Sequence, residues 1–197
     1  MKKLLAILLA LTMVMSLAAC GSDSKDEDKD DKKTEAADSV DKEDNDEDNK
    51  ADASRKALDD YIAVACEYDE DLYESVVPDE IWEYYAEMND MTKDEFIEYS
   101  YDLDMELYEE YNITTECEVL SYEKADEDKT DEIISDIVIN YDFIEESDIG
   151  DVVYGAVVKV ELSVNGEAQE PEEGTVYIVE FDGIWYVVSE NGEFSVS

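Results

Sequence analysis

Three features of the chain predict an α+β domain. Apolar residues recur at helical spacing from residue 53 to residue 111. The period then changes to two, and an Asp-Gly pair joins two alternating segments near the end. Runs of helix followed by runs of strand place N-terminal helices on a mainly antiparallel sheet, preceded by a disordered acidic linker.

The first helix is predicted from Ala53. Leu58, Tyr61, Ile62, Ala65 and Cys66 follow i, i+3, i+4, i+7, i+8 and form one apolar stripe. Leu72, Val76 and Val77 make a second cluster that stops at Pro78, which disfavours helix at the residue before it. Asp79 is suited to cap a short segment with Ile81, Trp82, Tyr85 and Met88 on one side. Thr92-Lys93-Asp94-Glu95 reads as a capping box, with Met91 and Phe96 placed as its hydrophobic staple. Behind it, Phe96, Ser100, Leu103, Leu107 and Tyr111 form one row and Ile97, Tyr101 and Tyr108 another. Two rows predict packing on more than one neighbour. Asn112 suits the exit.

Ile113, Thr115, Cys117 and Val119 alternate with polar neighbours, giving a strand to about Tyr122. Thr130 is suited to cap a helix holding Ile133, Ile134, Ile137, Val138 and Tyr141, whose β-branched content leaves a strand as the alternative. Residues 153–164 alternate up to Asn165-Gly166, and residues 175–181 and 184–188 flank Asp182-Gly183 as a two-residue hairpin.

The front of the chain is different in kind. Met1-Lys2-Lys3, an apolar run to Leu17 and a small-residue site have the form of a secretory signal, too short to span a membrane. Leu17-Ala18-Ala19-Cys20 resembles the lipobox of bacterial lipoproteins. That resemblance implies cleavage after residue 19, lipidation of Cys20, and attachment to the extracytoplasmic face of the cell membrane. Residues 20–52 then form the lipidated cysteine and its tether, and residues 53–197 the globular domain. Residues 21–52 hold no aromatic residue and a single large aliphatic, Val40, too little apolar surface to offset ordering entropy. A coil of roughly 30 residues spans about 30 Å, several times the ~8 Å Debye length, and so carries an acidic domain beyond the field of an anionic membrane.

The net charge is −44, and residues 56–197 carry 43 acids against five bases. Such a domain repels nucleic acid and anionic lipid, and favours cationic or neutral partners. Histidine is absent, which excludes imidazole catalysis and imidazole metal ligands.

With the lipobox and acidic tether ahead of it, the chain resembles exported lipoproteins of the nuclear transport factor 2-like (cystatin-like cone) class. The residues that carry this are the helix over 92–111, the alternation over 153–164, and the closing Phe181-Asp182-Gly183-Ile184-Trp185-Tyr186-Val187-Val188. The resemblance implies a curved sheet wrapped on a helix with a cone-shaped cavity between them. Enzymes of that class often use an Asp–His pair, which a chain without histidine does not have.

Candidate sites follow from residue type. No Gly-x-Ser-x-Gly, P-loop or dinucleotide fingerprint is present, so no catalytic residue, cofactor or enzyme activity is expected. Asp44-x-Asp46-x-Asp48 imitates an EF-hand start but has Asn49 and Arg55 where glycine and glutamate are required. Asp69-Glu70-Asp71, Asp126-Glu127-Asp128, and Asp142 with Glu145, Glu146 and Asp148 match no defined loop. They point to weak divalent counterions and to no metal site. Trp82, Tyr85, Tyr101 and Tyr108 are candidate ligand-contact aromatics, the alternative being core packing. Cys66 and Cys117 are expected as buried free thiols, with a disulfide, which export permits, as the alternative. The functional expectation is a lipid-anchored, non-enzymatic binding module for a protein or cell-wall component, a wall glycan among them. Its alternatives are a structural or cation-handling acidic surface protein, or a carboxylate-dependent enzyme.

Overall fold

The computed structural model describes residues 43–194, with side chains from Asn49. The expectations at Leu17, Ala18, Ala19 and Cys20, and for the tether up to residue 42, lie outside the described residues. The fold is α+β: five helices pack against a curled antiparallel sheet. In chain order these are α1 (Glu43–Glu67), α2 (Glu70–Tyr73), a 3-10 turn (Glu74–Val76), α3 (Asp79–Met88) and α4 (Lys93–Tyr111). Then come β1 (Ile113–Lys124), α5 (Glu127–Asn140), a second 3-10 turn (Glu146–Asp148), β2 (Ile149–Val164), β3 (Glu167–Ala168), β4 (Glu172–Phe181) and β5 (Ile184–Val188).

The first helix starts at Glu43 rather than Ala53, and the compact unit holding the sheet begins at Ala51. Residues 43–52, assigned by composition to the coil, are therefore helical. Composition weighs only apolar burial, whereas a nucleated helix extends at the gain of one hydrogen bond per residue fixed.

The sheet order is β1-β2-β4-β5, all pairs antiparallel, with β3 folded back on the end of β2. Its two faces bury different cores. On one, Tyr154, Ala156, Val158, Val176, Ile178 and Val187 meet Leu58 of α1, and Ala57, Tyr61 and Ile62 pack around them. This is most of the predicted stripe. On the other, Val153, Val179, Phe181 and Val188 meet Ile81 and Trp82 of α3 and Ile133 and Ile137 of α5. The alternation is interrupted once in β1. Val119 pairs with Val158 and Ser121 with Val157, so Leu120 is the extra residue of a bulge and points to solvent at 45% exposure. A second irregularity lies between Ile149 and Val153 of β2. There Gly150 lies so close to Glu180 that an added Cβ would come within 2.8 Å of the Glu180 Cβ.

A buried hydroxyl fastens α1 to the sheet. Ser54 is fully buried, and its Oγ pairs with the Tyr122 hydroxyl, which also donates to the Ala51 carbonyl at 3.1 Å. Tyr122 in turn stacks on Tyr154.

Helix ends follow local chemistry, with two corrections. Thr92 and Glu95 form the expected capping box: the Thr92 N–H donates to Glu95 Oε2 at 3.0 Å and the Glu95 N–H to Thr92 Oγ1 at 3.4 Å. Asn112 closes α4 in the left-handed region at φ 44°. The cap of α3, however, is Pro78, whose φ of −57° and ψ of 144° supply the extended approach; Asp79 is the first helical residue. The segment around Ile133 is a helix, not a strand. Its cap is Asp126, which accepts the Lys129 N–H at 2.9 Å, while Thr130 is buried within the helix. Asp126 stands one turn earlier in extended conformation and takes the capping role first. Thr92→Ala removes one side of the capping box and should cost about 1 kcal/mol, read as a lower urea midpoint at unchanged slope.

The two rows of α4 meet more than one neighbour, as expected: Phe96 contacts Trp82 of α3, Tyr101 contacts Tyr73 of α2, and Tyr108 contacts Tyr68 just after α1. No residue of the helix is fully buried, and Leu103 is 43% exposed. One expectation about the core is corrected. Cys66 and Cys117 are not free thiols. They form a disulfide, with Cα atoms 6.4 Å apart, joining the end of α1 to β1.

Candidate functional site

The four aromatics singled out in the sequence lie in two groups, both inside the helical layer. Trp82 is buried, and its indole N–H donates to the Glu74 carbonyl at 3.0 Å. The Tyr85 hydroxyl pairs with that of Tyr141 at 3.3 Å, and both Trp82 and Tyr85 have ring contacts with Phe96. Tyr101 and Tyr108 line a small cavity with Tyr68, Tyr73 and Asp104. Each of the four has packing partners: Trp82, Tyr85 and Tyr101 belong to or lie against the core, and Tyr108 meets the Tyr68 ring.

That cavity holds about 20 Å³, room for one water. The Tyr73 hydroxyl donates to Asp104 Oδ2 at 3.0 Å. Burial, then the negative Asp104, push the Tyr73 phenol far above its ordinary range, so it remains a donor. Burial raises the Asp104 carboxyl above the usual aspartate value, and the Tyr73 hydrogen bond offsets this in part. An acid raised in the native state binds its proton more tightly there than when unfolded. The resulting stability is present at low pH and is lost as pH rises from the ordinary aspartate range near ~4 through the raised native value. Asp104→Asn keeps an oxygen for Tyr73 and has no proton to lose. Its stability relative to the parent should improve between acid and neutral pH; an equal difference at both would show that Asp104 titrates like a surface acid. A substrate does not fit beside this pair.

The larger opening is a groove of about 420 Å³ at the β5 edge of the sheet. Ala53, Lys56, Ala57 and Asp60, one helical face of α1, make one wall. Leu72, Ser75 and Val76 make the other, and residues 183–187 line it along the strand. Lys56 pairs with Asp60 at the rim. Among the lining groups Asp60 is the sole carboxylate and Lys56 the sole amine. This arrangement suits holding a chain or ring against apolar walls and a strand backbone. It brings together no nucleophile, base and oxyanion donor in the manner acyl transfer requires.

The acidic triplets serve local structure. Asp69 accepts the Asp71 N–H, Asp126 caps α5, and Glu145 and Asp148 cap the second 3-10 turn reciprocally. Among the described residues no group of three or more carboxylates or thiols could hold a metal ion. The bases are engaged: Lys56, Lys93, Lys129 and Lys159 each hold a carboxylate, and Lys93 bridges Glu74 and Asp79 at 3.0 Å to both.

None of the candidate residues that residue type singles out lines this groove. Trp185 was legible only as part of the closing hairpin. Its place at an edge depends on strand order, which alternation does not encode.

No family model matches this chain, and no curated protein or solved structure is significantly similar to it.

Proposed function

We propose that the chain is an exported lipoprotein, held on the extracytoplasmic face of the cell membrane through Cys20, whose α+β domain is a non-enzymatic binding module for a protein or a cell-wall component. The observation that carries the reading is the groove along β5, open, apolar-walled and within the size range of ligand sites. The Cys66–Cys117 disulfide supports export, because such bonds persist in oxidising compartments. The helices on a curled antiparallel sheet support the cone-class resemblance.

The anchor is tested by metabolic labelling with a fatty-acid analogue: label is expected on the parent and lost in Cys20→Ala. Binding is tested by the unfolding midpoint across calcium, magnesium, wall-glycan fragments and cationic peptides at matched ionic strength. A ligand at 100 times its dissociation constant adds about 2.7 kcal/mol, a shift of several degrees. A rise with one glycan or peptide, and equal responses to the two cations, is the expected result. A rise with calcium alone would replace the binding module by a cation-handling surface.

A further inference from the structure

We propose that β5 is a docking edge: an extended, lysine- or arginine-rich segment of a partner protein lies in the groove and adds a strand to the sheet. This deepens the binding-module reading and rests on it.

Hairpin register decides which backbone groups are free. In a two-residue hairpin the residues flanking the turn exchange both hydrogen bonds, and bonded and non-bonded pairs then alternate along the ladder. Phe181 faces Ile184 across Asp182-Gly183. The backbones of Ile184, Tyr186 and Val188 therefore bond to β4, while those of Trp185 and Val187 turn outward. A bridge from Val188 to Phe194 covers the far end, so the open stretch is residues 184–187. No other described residue donates to or accepts from the Trp185 backbone, or accepts the Val187 N–H.

Natural sheets blunt their edges with charges, proline or bulges. The opposite edge, β1, does so: it carries Glu116, Glu118, Glu123 and Lys124 and is bulged at Leu120. The edge strand β5 reads Ile184-Trp185-Tyr186-Val187 and has no such device, and Ile184 is 57% exposed. About 13 Å of strand is available for pairing.

Charge selects the occupant. Residues 56–197 have 43 acids and five bases, and four of those bases already hold carboxylates. Burial raises the Tyr186 phenol of β5, and the negative charges of Glu80, Asp79 and Asp182 raise it further. A second copy of a chain with net charge −44 would bring the same field against itself. A cationic strand is attracted by that field and supplies the missing backbone partners.

The test uses the full-length protein, labelled for amide NMR, and a capped peptide of about six residues alternating lysine and valine, about 20 Å when extended. Two comparison peptides replace lysine by glutamate or methylate alternate backbone nitrogens. The lysine peptide should shift the amides of Trp185 and Val187. Its affinity should fall about tenfold on N-methylation, and again as salt rises from about 0.01 to about 0.15 M and the Debye length shortens from ~30 to ~8 Å. Ala53→Trp, at an exposed helix position on the groove wall, should weaken binding while the unfolding midpoint stays in place. Equal binding by the N-methylated peptide would reduce the interaction to charge alone and overturn strand addition, as would equal binding by the glutamate peptide. A wall glycan that shifts the groove amides where the lysine peptide does not would overturn the peptide inference and leave the binding module standing. Silence from every ligand would remove both.

Discussion

Replacing Cys66 and Cys117 together by alanine is expected to lower stability by about 4 kcal/mol, a drop of roughly 10 °C in midpoint for a domain of this size. The two residues are 51 apart in sequence, and the closed loop contains α2, α3 and α4. The same loop carries Val76, Val77, Ile81 and Trp82, which are buried in the core with residues of the sheet. In the chain-entropy account the bond acts on the unfolded ensemble, by forbidding conformations in which the end of α1 and β1 are far apart. Alanine adds little further cost at Cys66, which is buried, because the substitution removes only the sulfur atom. Urea unfolding of the double variant, and of the parent with and without reductant, checks the figure. Reduced parent and double variant should coincide. A loss below about 1 kcal/mol would mean that the open chain keeps these segments close without the bond.

Trp82→Ala should cost about 3–5 kcal/mol. The indole is 4% exposed, sits between Tyr73 and Phe96, and donates its N–H to the Glu74 carbonyl at 3.0 Å. Truncation leaves a cavity beside the core and a carbonyl without its partner. Trp82→Phe retains much of the packing and loses the donor, so a smaller cost of about 1–2 kcal/mol is expected. The pair of variants separates the two roles considered for this residue. A core tryptophan moves the unfolding midpoint and leaves groove affinity in the folded protein unchanged; a ligand contact does the reverse.

Elements whose signals are local could be read directly. The capping box at Thr92, the left-handed exit at Asn112 and the Asp182-Gly183 hairpin each depend on a few adjacent residues, and each forms as its residue types require. The stripe from Leu58 to Cys66 marked the buried face of α1, but not Val64, which reaches the opposite core. What eluded sequence reasoning depends on partners distant in the chain. Ser54 becomes a buried anchor only because Tyr122 arrives beside it, and the bulge at Leu120 appears only when β1 is laid on β2. The disulfide was open for the same reason: apolar placement suits a free thiol and a bridged one equally, and only the fold sets the two Cα atoms 6.4 Å apart. The groove is the extreme case. Its walls come from α1 and the segment around Leu72, its open edge from β5, and no stretch of sequence contains the site. The tyrosines drew attention by their number, yet a ring that fills a core and a ring that meets a ligand look alike in sequence.

The most direct test of the groove as the binding surface is amide chemical-shift mapping of the full-length protein with whichever ligand raises its unfolding midpoint. The predicted result is that the largest shifts fall on residues 183–187 and on Ala53 and Ala57 across the groove. Shifts centred instead on Tyr101, Asp104 and Tyr108, or on the exposed Met88 and Leu103, would contradict it and move the site to the helical layer.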